Sequence, residues 1–151
     1  MNGLKTPKWS LWLYISLSLI GFIDAAYVTV KFYLRGPLNC LIFENCNAVI
    51  NSSYAKLAGI PISLLGSIFY LTIFLLSVYY VDTKKPAAIK IIFWLTGFGF
   101  LFSLYLLFIQ AFLLNQFCLY CLISAVISIL LFVNTIYNYR KLTRCQYTNA
   151  Y

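Results

Sequence analysis

The stretch from Phe117 to Tyr139 reads FCLYCLISAVISILLFVNTIYNY and carries no charged side chain. A helix needs about 20 apolar residues to cross a bilayer, so this run by itself argues for a membrane span. It opens on Cys118 and Cys121, a C-x-x-C at the head of the run. Residues three apart on a helix share a face. The positive end of the helix dipole stabilises a thiolate there without any base. Cys121 then lies one turn into the apolar layer, within reach of a lipid-soluble oxidant and hard for a protein in water to approach.

Three more runs of this kind lie upstream, at residues 11–33, 62–81 and 87–114. Together with 117–139 they predict an all-α membrane protein, a four-transmembrane-helix bundle forming a single integral membrane domain over 1–151. Composition agrees: 63% of the 151 residues are hydrophobic, 19% aromatic and 9% charged, where a soluble domain carries about 25% charged residues. So much apolar surface cannot be buried inside a chain this short, and lipid must be its solvent. Lys5 and Lys8 ahead of the first run resemble the start of a signal peptide. The run is too long for one and lacks a small-residue cleavage site, so it reads as a helix.

The connections differ. Residues 34–61 form a long polar outer loop containing Gly36-Pro37, Glu44, several asparagines and Asn51-Ser52-Ser53. A short interfacial helix is expected within it, over Val49–Leu57. Gly59-Ile60-Pro61 reads as a break before a helix start. Asp82–Pro86 is short and charged, and Asn115-Gln116 is barely a turn. No linker leads to a soluble domain.

Lys5, Lys8, Lys84, Lys85, Lys90, Arg140, Lys141 and Arg144 fall on one side of such a bundle, against Lys31, Arg35 and Lys56 on the other. The positive-inside rule then places both termini in the cytoplasm. The outer loop and the Asn115-Gln116 turn face out of the cell membrane, so Cys40, Cys46, Cys118 and Cys121 share the extracytoplasmic, oxidising side. Cys145 is on the cytoplasmic side. The net charge of +8 is not gathered on one amphipathic face, which argues against a nucleic-acid partner. The chain has no histidine, and so lacks the commonest general base. It has no phosphate-binding loop or nucleotide fingerprint.

Two cysteine pairs on one side can exchange an oxidation state through a mixed disulfide. Cys40 and Cys46 sit in a polar, water-accessible segment that can meet a soluble dithiol and then reach Cys118–Cys121. Two plainer readings compete: static disulfides pinning the loop, and a four-cysteine zinc site. The membrane-edge placement of the C-x-x-C favours redox work and no metal.

The run from Cys46 to Tyr54 (CNAVINSSY), the following AKLAGIP to Pro61 and ISLLGSIFY to Tyr70, together with Phe117-Cys-Leu-Tyr-Cys121, resemble the vitamin K epoxide reductase (VKOR) family. The likeness extends from Gly21-Phe-Ile-Asp24 to the fourth helix. It implies a four-helix bundle around a quinone of the ubiquinone or menaquinone type. It implies that Cys121 faces the quinone with Cys118 as its partner, that Cys46 exchanges with Cys118, and that Cys40 faces the soluble partner. Ser52 matches the family's loop Ser/Thr position near the active site. Phe69, Tyr70, Phe112, Phe117 and Tyr120 are candidates to line a ring pocket, although aromatics also serve as packing or interface-belt residues.

Vertebrate members carry an Asn early in the second helix and a Tyr one turn after the C-x-x-C. Here those positions are Ile62 and Ala125, so recognition of vitamin K or its epoxide is not implied. The resemblance is to prokaryotic stand-alone members that oxidise a separate periplasmic or extracytoplasmic thioredoxin-like protein. Asp24, a carboxylate in a span, is either functional or held in a polar pocket. Lys56 reads as an interfacial snorkel. Gly97 and Gly99 read as sites of close helix contact.

The sequence thus predicts a quinone-dependent thiol–disulfide oxidoreductase that supports disulfide formation. Two rivals remain. A DsbB-like quinone reductase has its C-x-x-C in the first outer loop, the reverse of the order here. A tetraspanning scaffold with a stapled loop has no reason to place a dithiol one turn into lipid.

Overall fold

The structure, a computed structural model, describes residues 7–34, 56–57, 59–83 and 85–148. Helix α1 runs Lys8–Tyr33, α2 Ile62–Thr83, α3 Pro86–Phe108 and α4 Leu119–Thr148. A π-helical turn, Ile109–Leu114, continues α3. Strands β1 (Lys56–Leu57) and β2 (Ile60–Pro61) form a small antiparallel hairpin ahead of α2, with Lys56 opposite Pro61 and Leu57 opposite Ile60.

Four helical segments are long and apolar enough to cross a membrane: Lys8–Tyr33, Ile62–Thr83, Ala87–Leu114 and Leu119–Lys141. They coincide with the four apolar runs, and the chain is an all-α membrane bundle. Its polarity is inverted relative to a soluble protein. Trp12, Trp94, Phe98 and Leu101 point outward, Trp94 with 78% of its surface exposed, while Ser10, Ser18, Thr96, Thr135 and Asn138 are buried. Only a lipid solvent makes that arrangement favourable.

Helix α1 packs against both α2 and α4, and α3 rests mainly on α4. The buried face of α1 steps through Ser10, Tyr14, Ser18, Gly21, Ala25 and Val28, three or four residues apart as one side of a helix requires. The core gathers Tyr14, Ala25, Tyr70, Ile73, Ile92, Ile127 and Leu131. At the end away from the C-x-x-C, Ser10 Oγ donates to Asn134 Oδ1 (2.7 Å), Tyr14 OH to Thr135 Oγ1 (3.0 Å) and Asn134 Nδ2 to the Ser10 carbonyl (3.1 Å). Bonds of this kind average about 0.6 kcal/mol each in membranes, so they set the register of α1 on α4 more than they add stability.

The interfacial helix expected over Val49–Leu57 does not extend to its last two residues. Lys56 and Leu57 are extended and paired with β2. Gly59 turns the chain at φ +85°, a conformation costly for any residue with a side chain. Residues 49–55 lie outside the described residues.

Close helix approach occurs at Gly99, where an added Cβ would run into the Phe69 ring, whereas at Gly97 it would make only an ordinary 3.5 Å contact with Phe132. A third site is Gly21, where a Cβ would stand 2.6 Å from Tyr70 Cε1. The Tyr70 ring cannot retreat, because it is fully buried and its hydroxyl donates to the Ser124 carbonyl at 2.8 Å. Gly21→Ala is therefore expected to destabilise the bundle by about 1–3 kcal/mol, while Gly97→Ala stays near neutral. Thermal unfolding of the two variants in detergent measures the difference.

Candidate redox site at the α3–α4 joint

The site forms where the third span ends and the fourth begins. Over Ile109–Leu114 the chain widens to π-helical pitch, a local distortion frequent at functional sites. Asn115 then adopts a left-handed conformation, φ 49° and ψ 31°, and its N–H bonds the Gln110 carbonyl. The Gln116 N–H reaches the same carbonyl at 3.2 Å. Asparagine tolerates this geometry better than most residues.

The chain re-enters helix immediately afterwards. The Cys118 carbonyl accepts the Leu122 N–H at 3.0 Å, which makes Cys118 the residue capping the N-terminus of α4. The Cys118 N–H, otherwise an orphan donor, bonds Gln110 Oε1 at 3.1 Å. Both cysteines are free thiols. Cys118 is fully buried and packs with Val28, Phe32 and Leu114. Cys121, one turn on, is half-buried.

The Cys118 thiol is lowered to about 7 from its ordinary 9.0. A hydrogen bond from Cys121 contributes most; burial opposes it; the backbone N–H groups of Cys121 and Tyr120 add to the lowering. The charge of Asp24 pushes weakly the other way. This is how a residue at a helix N-terminus becomes a thiolate near neutral pH without a histidine.

Cys121 lies on the wall of a cavity of about 430 Å³, and Cys118 does not. The wall is mostly apolar, with Phe69, Phe98, Phe102 and Leu106 prominent, and a few polar groups converge on it: Asp24, Gln110, Ser124 and Ser128. Outward-facing Ile68, Thr72 and Phe98 belong to the same wall, so the cavity opens between α2 and α3 towards the apolar surface. An apolar cleft with a few convergent polar groups is the usual form of a small-molecule site.

The residues singled out in the sequence fall in different places. Phe69, Tyr70 and Tyr120 line the cavity, Tyr70 with its hydroxyl turned to Ser124 and Ser128. Phe117 is 40% exposed and is not part of the wall, and Phe112 faces outward against Phe108. Asp24, Ile62 and Ala125 are all wall residues. Cys40, Cys46 and Ser52 lie outside the described residues. Among the described residues, no group of three or more His, Cys, Asp or Glu could hold a metal ion. Gln110 was not singled out from the sequence; its only signal was a lone amide in the apolar run 109–114.

The charge on Asp24 opposes ionisation of Cys118, so removing it should make the thiolate easier to form. The ultraviolet thiolate absorbance assigned to Cys118, taken as the difference from a Cys118→Ser variant, is expected to titrate with a midpoint of about 7. The midpoint should be lower in Asp24→Asn. A midpoint that rises in Asp24→Asn would contradict this electrostatic picture.

A comparison with curated protein sequences finds no match. Residues 12–136 match the vitamin K epoxide reductase family, an extent that takes in most of α1, all of α2 and α3, and the C-x-x-C. Members of this family are membrane thiol–disulfide oxidoreductases that use quinone. With four apolar helices and a dithiol at the head of the fourth, the chain belongs to the vitamin K epoxide reductase family.

Proposed function

We propose that this protein oxidises a separate extracytoplasmic thioredoxin-like partner and passes the electrons to a membrane quinone of the ubiquinone or menaquinone type, so supporting disulfide bond formation. Both termini are cytoplasmic in this reading, and all four redox cysteines face the other side. The partner's dithiol reduces Cys40–Cys46. A loop thiolate, that of Cys46, then attacks Cys118 and releases Cys121. Cys40 then displaces Cys118 from Cys46, closing the loop disulfide and leaving Cys118 and Cys121 as thiols, whose two electrons and two protons a bound quinone would accept as the pair re-forms its disulfide.

The observation that carries this reading is the split environment of the C-x-x-C. Cys121 opens onto the cavity, and Cys118 is packed away from it at the head of α4. Two sulfurs one turn apart thus serve different neighbours. The cavity suits a quinone: Phe69, Phe98 and Phe102 offer an aromatic and apolar wall for ring and tail, and Ser124 and Gln110 put polar groups near Cys121. A bound quinone supplies a two-electron, two-proton acceptor. Ile62 and Ala125 leave the wall apolar where vertebrate members have Asn and Tyr, which supports a simple quinone over an epoxide as the ligand.

Purified protein in lipid, given a quinone and two alternative reductants, tests the scheme. Cys118→Ser and Cys121→Ser are each expected to abolish quinone reduction with either reductant. Cys40→Ser and Cys46→Ser should block reduction by a thioredoxin-like protein yet retain it with a small membrane-permeant dithiol, which can reach Cys118–Cys121 directly. If the loop variants fail equally with both reductants, the loop is structural and the relay is wrong.

A further inference from the structure

Gln110 is 3% exposed and stands in an otherwise apolar turn. A buried amide is costly unless its polar atoms are bonded, so its position needs an explanation. The Cys118 N–H can only donate, which obliges the amide oxygen of Gln110 to face it, 3.1 Å away. The amide nitrogen must then point elsewhere. Gln110 and Cys121 line the same cavity, where the nitrogen is left to turn. One side chain therefore holds the backbone of Cys118 and shares the cavity of Cys121.

The geometry points to Gln110 as a positioning residue for the dithiol: its oxygen fixes Cys118 at the head of α4, and its N–H holds the sulfur of Cys121 when the disulfide opens. The inference rests on the redox reading of this pair given above. In the opening step an incoming thiolate bonds to Cys118 Sγ. The Cys118–Cys121 bond breaks, and its electron pair leaves on Cys121 Sγ. The second thiol of the incoming dithiol then displaces Cys118, closing its own disulfide, so that two electrons have moved to the helix pair. A thiolate accepts a hydrogen bond far better than a disulfide sulfur. The Gln110 N–H thus favours the reduced state, and its loss should favour the disulfide.

The test uses the full chain with Cys40→Ser, Cys46→Ser and Cys145→Ser, so that only the helix pair titrates. The protein is equilibrated at neutral pH, in detergent, with mixtures of reduced and oxidised dithiothreitol. Free thiols are then alkylated and counted by intact mass. Gln110→Glu keeps an oxygen for the Cys118 N–H but removes the donor to Cys121 and sets a carboxylate beside it. Gln110→Leu removes both. Each is expected to shift the equilibrium towards the disulfide by about tenfold, equivalent to about 30 mV for a two-electron couple. A Gln110→Glu protein that titrates like its parent would show that the amide only caps α4, and would overturn the inference. Should Gln110→Leu fail to fold, Gln110→Glu decides alone. The parent gives the separate reading: a helix pair that never forms a disulfide under the most oxidising mixture defeats the proposed function itself, whereas a normal parent with unshifted variants defeats only the role of Gln110.

Discussion

In lipid, a backbone N–H that finds no acceptor costs several kcal/mol, and a tight connection between two spans creates several at once. Here the α3–α4 joint meets three of those donors through one residue. The Gln110 carbonyl takes the N–H groups of Asn115 and Gln116, and its side chain takes that of Cys118. The π-helical pitch frees that carbonyl for its extra partners. The left-handed Asn115 then swings the chain around so that α4 can start at once. The position of the C-x-x-C at a helix N-terminus follows from this joint. So does the difference between its two sulfurs, because a rigid first turn directs Cys121 to the cavity and leaves Cys118 among Val28, Phe32 and Leu114.

The rest of the bundle can be read as support for that joint. Close approach of α1 and α2 at Gly21 and Tyr70, and the bond from Tyr70 to Ser124, tie both helices to the first turns of α4. The polar contacts of Ser10, Tyr14, Asn134 and Thr135 pin the far end, sixteen residues beyond Cys118 at Asn134, or about 24 Å at the helical rise of 1.5 Å per residue. Helix α3 packs on α4 and only loosely on α2, which leaves the cavity open on the apolar side. An opening lined mostly by apolar and aromatic side chains suits an apolar small molecule.

Much of this was legible in the sequence, for identifiable reasons. Four largely apolar runs of spanning length left no alternative to a helical bundle, and the C-x-x-C at the head of the last run announced a dithiol at a helix start. The inner face of each helix was harder to see. In a membrane both faces are apolar, so hydrophobic periodicity carries little signal, and the inward side is marked by small and polar residues such as Ser10, Ser18 and Gly21. The π turn was invisible because Ile109–Leu114 has the composition of ordinary helix, and Gln110 looked like an isolated polar intrusion. The strand at Lys56–Leu57 replaced the end of an expected helix because the glycine turn at Gly59 returns the chain for pairing; the Gly-Ile-Pro signal was read as a break without its hairpin.

The central claim is that Cys118 receives electrons from the loop and Cys121 passes them on. It can be tested by removing the outer members of the relay. In a Cys40→Ser and Cys121→Ser double variant, mild chemical oxidation can join the Cys46 and Cys118 thiols, and no resolving thiol remains on either side. Peptide mass spectrometry under non-reducing conditions should then recover residues 46 and 118 in a single disulfide-linked pair. Recovery of both as free thiols after mild oxidation, or of Cys46 linked elsewhere, would contradict the account.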